Sequence, residues 1–224
     1  MKTTVLSVLL AGLCVALCVG PAETAPKPSL IPASWQLNIE LTEPLAIEVD
    51  TPKGGGRKAY WYVRFTTTNH TGQDQLVIPE FMLYTSTGQL LRSDKDVPAA
   101  IFRKIKNRHN EPLLNKMTGM TGKMLQGDDN AKMGVAIWPD FDHTAMSFDI
   151  FIGGISGETV EIELPKPIQV TRIEGHGKDA RKIVETKKTL ILSKTLHLEY
   201  AVSTDPAART RIAPRLVKKE WLMR

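Results

Sequence analysis

A chain of 224 residues, 42% hydrophobic and 24% charged, is one or two domains long with the mixture of an ordinary globular protein. That excludes collagen-like, fibrous and wholly disordered classes, and at this size a core forms without disulfides or a structural metal. The formal charge is +5, from 29 Lys and Arg against 24 Asp and Glu. No basic, aromatic-rich motif accompanies it, so nucleic acid is not an expected partner.

The chain begins with Lys2, an apolar stretch from Val5 to Val19, and the small residues Gly20-Pro21-Ala22. This is the pattern of a cleaved signal peptide over residues 1–22. At about fifteen residues the apolar run is shorter than the roughly 20 a bilayer-spanning helix needs. Cys14 and Cys18 both lie inside it, so the mature chain is expected to be exported, periplasmic or extracellular, and free of cysteine. Thiol nucleophiles, thiolate metal sites and redox chemistry are thereby excluded. Leu13 and Leu17 precede the cysteines where lipid attachment favours a small residue. Charge is unevenly placed: residues 172–224 hold 13 basic and 6 acidic residues, against 15 and 18 in residues 23–171.

Residues 23–34, with Pro26 and Pro28, read as a proline-rich linker that cannot be helical. Trp35 to Leu41 and Leu45 to Val49 then alternate apolar and polar side chains as half-buried strands do. The glycine-rich loop 52–58 follows. Tyr60 to Thr68, aromatic and β-branched, is the strongest strand signal in the chain. It ends at the turn Asn69-His70-Thr71-Gly72. Gln75–Ile78, Phe81–Tyr84 and Gln89–Arg92 continue at the turn spacing of an antiparallel sandwich or barrel.

A helix is expected over Ala99–Arg108, capped by Asp96 with Pro98 in its first turn, as a crossover over an open end of the fold. Strands follow at Lys123–Leu125, Val135–Trp138, Ser147–Ile152 and Thr159–Leu164. A weakly patterned hairpin is expected from Ile168–Ile173 and Lys182–Thr186, before a long closing strand at Leu190–Tyr200. Residues 203–224 read as a basic tail, disordered or a short helix with Leu216, Val217, Trp221 and Leu222 on one side. The expected architecture is mostly β: a single antiparallel, immunoglobulin-like β-sandwich over residues 35–202 with one short crossover helix.

Few residues offer chemistry. Asp140, Asp142 and His143 lie within four positions and could bind a ligand or divalent cation, or act as acid and base in a metal-dependent hydrolase. The competing reading is a loop whose Asp and Pro residues serve turn geometry. Asp128, Asp129 and Asn130 offer oxygen ligands for a metal but lack EF-hand spacing, so a turn or cap competes. Gly153–Glu158 departs from a nucleophile elbow because Glu158 stands where a glycine is required. Asn69-His70-Thr71 matches the glycosylation acceptor pattern. The Tyr60, Trp61, Tyr62, Phe65 set could platform a sugar, although alternate members must face a core. The five histidines are scattered, and His197 suits a solvent-facing or structural hydrogen-bonding role.

The segments Tyr60–Phe65 to Asn69–Asp74, Ile78–Phe81, Gly134–Pro139, Gly153–Thr159 and Lys188–Leu190 to Glu199-Tyr200 resemble an uncharacterised family of exported proteins from planctomycete-type bacterial genomes. The resemblance spans most of residues 35–202. The strand, Asn-x-Thr-Gly, strand opening is also similar to immunoglobulin-like accessory domains of exported bacterial proteins. These likenesses imply a fold and an export route and carry no activity, ligand or catalytic residue.

The expected function is thus an exported, non-enzymatic module without catalytic residues or cofactor, recognising an unknown protein or an envelope polymer. Its contacts would come from loops at one end, near Asp140–His143 and Gly127–Asn130, or from the basic tail. Two alternatives remain: the metal-dependent hydrolase, and a protein held on an anionic membrane surface by its tail.

Overall fold

The computed structural model describes residues 25–31, 33–51, 56–175 and 181–224, and the expected signal peptide with its two cysteines lies outside them. The fold is mostly β, in several sheets. Its centre is the aromatic strand β3 (Arg57–Thr68), which pairs antiparallel with β9 (Lys132–Pro139). The other edge of β3 is shared end to end by β1 (Asn38–Leu41) and β2 (Leu45–Asp50). A two-residue strand, β7 (Asn115–Lys116), joins β9 in parallel.

The second sheet runs β6 (Leu90–Arg92), β5 (Glu80–Thr85), β10 (Ser147–Gly153) and β12 (Arg181–Ala201). Strand β13 (Arg215–Met223) lies against Lys194–Ala201 of β12, and β11 (Thr159–Glu174) against its earlier half. A small pair, β4 (Gln75–Val77) with β8 (Gly122–Met124), completes the strands.

Trp61, Val63 and Phe65 of β3 and Ala136 and Trp138 of β9 project towards the second sheet. There they join Phe81, Phe148, Ile150 and Leu198 in one core. Phe65 stacks on Phe81 at 4.5 Å and Trp61 meets Phe148 at 6.0 Å, so aromatic contacts bridge the two sheets.

The opposite face of β3 and β9 is buried too. Helix α1 (Ala99–His109) lays Ile101 and Ile105 on Tyr60, Tyr62, Val135 and Ile137. Each of these isoleucines contributes roughly 2 kcal/mol by leaving water. The helix therefore covers a sheet face and not an open end. This is why Tyr60 to Val63 are consecutively buried: all the aromatics considered for a sugar platform are core. The expected Asp96 cap is also corrected. Asp96 has φ 59, and Pro98 takes the capping position without a side-chain bond. At the other end Asn110 adopts the left-handed conformation that asparagine tolerates, and Lys106, Arg108 and His109 suit the negative end of the helix dipole.

Two further expectations change. The weak hairpin and the closing strand are parts of one ribbon, because β12 runs unbroken for 21 residues and β11 for 16. The tail is neither disordered nor helical beyond a single turn. Arg215–Met223 form β13, and only Pro206–Arg209, capped by Asp205, is helical. The folded unit therefore extends past residue 202. The linker is anchored as well, since Ser29 N donates to Glu158 Oε1 at 2.7 Å.

Candidate functional site

Pro139 ends β9, and the chain must cross to β10 at Ser147. Phe141 and Ala145 are buried in this crossing, which leaves the polar residues between them to be arranged by hydrogen bonds. Asp140 Oδ1 accepts from Trp61 Nε1 at 2.8 Å and from Phe141 N at 3.0 Å. Asp142 Oδ1 accepts from Thr144 N at 2.9 Å and from Thr144 Oγ1 at 2.7 Å, closing a local turn. Those bonds hold the Asp142 carboxyl below its ordinary range. His143 is largely exposed, with Nε2 3.8 Å from Asp140 Oδ2, beyond hydrogen-bond distance.

The residue that organises this loop is Arg209, 1% exposed, from the last helical turn. Its guanidinium donates at 3.0 Å to the carbonyls of Ala145 and Asp142. It also lies over the rings of Phe141, at 4.8 Å, and Trp61, at 5.9 Å. Burial pushes its pKa down from the usual range, and Asp140 and Asp142 oppose that shift.

Asp140, His143 and Arg209 border a cleft of about 670 Å³ with Glu48, Arg57 and Lys58. One pair of its charges is matched internally. Glu48 accepts from Thr210 Oγ1 at 2.7 Å and faces Arg57 at 3.0 Å. Asp142 is not part of the lining. The three residues of the hydrolase reading thus divide: Asp140 and His143 share a concavity, and Asp142 serves a turn. Among the described residues no group of three His, Cys, Asp or Glu side chains could hold a metal ion.

The other candidate loop lies elsewhere. Gly127–Asn130 precedes β9 and Asp140–His143 follows it, so eight strand residues, roughly 25 Å, separate them. They are not at one end. Asp128 and Asn130 belong to a single 3-10 turn. Asp128 Oδ1 sits 2.8 Å from His70 Nε2, Asn130 Nδ2 donates to Gln126 O at 2.6 Å, and Asp129 is exposed. These contacts are those of a turn that ties two loops together.

Beside it Asn69 is 1% exposed, with Nδ2 donating to Gln73 O and Met124 O, both at 2.9 Å. Its Oδ1 accepts from Thr71 N and Thr71 Oγ1. The glycosylation pattern is an asparagine turn whose amide is fully used. His197 lies 2.7 Å from Asp149 and 3.2 Å from Glu220, linking β10, β12 and β13.

Sequence reasoning passed over two charged groups. One is Arg209. The other is the buried pair of Lys194 and Glu158, 2.8 Å apart, with the Lys194 ammonium 5.5 Å from the Trp221 ring. The only sequence signal for the pair was the glutamate interrupting a glycine run. No family model, curated protein or solved structure matches the chain. No helix among the described residues is long and apolar enough to cross a membrane.

Proposed function

We propose that this chain is an exported, non-enzymatic immunoglobulin-like β-sandwich module that associates with the cell envelope through the ribbon of β11 and β12. The observation that carries the reading is the ribbon itself. None of its described side chains from Leu164 to Glu174 or from Arg181 to Thr189 is buried, although a two-stranded ribbon alone is marginal in water. An element of that length, outside the core, is a contact element. Two sheets sharing one core support the sandwich, and the apolar leader after Lys2 supports export. Kinship with exported bacterial proteins belongs to the same proposal. The Asp140–His143 pair of the cleft, 3.8 Å apart and too far to transfer a proton directly, supports the absence of catalysis.

The test is fractionation of cells producing the full chain or a chain in which residues 164–188 are replaced by Asn-Gly. That replacement closes a tight hairpin at the Glu163–Thr189 pair. The full chain is expected to start at residue 23 by N-terminal sequencing and to sediment with envelopes. The shortened chain is expected in the soluble exported fraction with an unchanged melting transition. Equal partition of the two chains refutes the role of the ribbon.

A further inference from the structure

The free ribbon, Arg181–Leu192 on one strand, reaches about 40 Å. Its edges are poorly suited to adding another strand. Pro165 and Pro167 remove amide donors from β11, and Lys182, Lys187 and Lys188 charge β12. Contacts must then be made by its faces.

The register separates those faces. One carries Val170 opposite Glu185, Arg172 opposite Ile183 and Glu174 opposite Arg181. Its acidic groups are already engaged, because Arg172 lies 2.5 Å from Glu174 and 3.4 Å from Glu185. The other carries Gln169 opposite Thr186, Thr171 opposite Val184 and Ile173 opposite Lys182. Among the described residues no carboxylate stands on this second face. Ile173 is 73% exposed and Val184 53%. Over residues 166–188 as a whole, seven Lys and Arg face three Asp and Glu.

We propose that the face of Ile173, Val184 and Lys182 docks on an anionic lipid surface. This rests on the reading of the ribbon as the contact element and names its partner. Ile173 and Val184 would enter the boundary between headgroups and acyl chains, while Lys182 and its basic neighbours meet the lipid phosphates. An acidic polymer would match the cations but leave both apolar side chains in water. An apolar protein groove would match those side chains but strip water from Lys182. A bilayer interface satisfies both within a few ångströms. Of the 13 basic residues counted from 172 to 224, six lie between 172 and 188, and the expected tail is paired into the sheet as β13.

Co-sedimentation of the purified chain with vesicles tests this, using phosphatidylglycerol mixed with phosphatidylcholine and phosphatidylcholine alone. Binding is expected to the mixed vesicles only and to weaken with salt. Lys182→Gln should weaken it about fivefold, as loss of one interfacial cation does. Ile173→Ser should weaken it roughly tenfold through lost apolar burial. Both sites are exposed, so neither variant threatens the core. Binding to neutral vesicles alone, or binding that ignores both substitutions, overturns the proposal. If the shortened chain leaves the envelope fraction while the full chain ignores anionic vesicles, the lipid is refuted and the ribbon reading stands. If shortening changes nothing in cells, the ribbon reading itself fails.

Discussion

Replacing Arg209 by Met removes a fully buried guanidinium while keeping most of its apolar stem. Two 3.0 Å bonds to the carbonyls of Asp142 and Ala145 disappear, the first part-buried and the second buried, and those oxygens are left without these donors. Hydrogen bonds to a charged donor contribute about 1.5 to 3 kcal/mol each. Relief of the buried charge offsets part of the loss, because burial lowers the Arg209 pKa more than Asp140 and Asp142 raise it. The net expectation is a loss of about 2 to 4 kcal/mol. At this chain length that lowers the melting temperature by roughly 5 to 15 °C. Urea unfolding followed by tryptophan fluorescence measures it, since Trp61 lies beside the guanidinium. The midpoint should fall with an unchanged slope. Arg209→Lys should recover little, because a single ammonium cannot reproduce the fork. A loss below about 1 kcal/mol, within the usual range of a neutral substitution, would refute the account of Arg209 as the organiser of this loop.

Gly154→Ala should prevent a stable fold or cost more than about 3 kcal/mol, because Gly154 has φ +72 and an added Cβ would lie 2.0 Å from Ile78 O; thermal unfolding reads the loss. Asp94→Asn should stabilise the protein at neutral pH. Burial raises the Asp94 pKa, so the folded state binds its proton more tightly than the unfolded chain, and the resulting stability is lost as pH rises through the folded value. The amide removes that penalty and is equally tolerant of φ 60; urea midpoints compared at pH 4 and pH 7 should show the gain at the higher pH only. Glu158→Gln should flatten the acid limb of stability. Lys194 and then Ser29 N hold the Glu158 pKa below its ordinary 4.5, so its contribution is present above that value and lost as pH falls through the folded one; an unaltered acid limb in the variant would contradict this.

The alternation of side chains determined most strands. Period-two patterning is written into consecutive residues, so Ser147–Ile152 was legible without knowing its neighbours, as Tyr60–Thr68 was from its aromatic and β-branched residues. The apolar positions Ile101 and Ile105 likewise announced a helix, but not the sheet face it covers. Pairing, covering and docking were decided only by the tertiary structure, because they join residues far apart in sequence. Asp142 and Arg209 are 67 positions apart, and Glu158 and Lys194 are 36. Leu216, Val217, Trp221 and Leu222 suit a helical face or a strand equally, and the open edge of β12 selected the strand by supplying hydrogen-bond partners along its length. The polar candidates were the least legible part. Asp, Asn and His carry the same chemistry whether they close a turn or meet a ligand, and only the atoms opposite them, Thr144 for Asp142 and His70 for Asp128, distinguish the two.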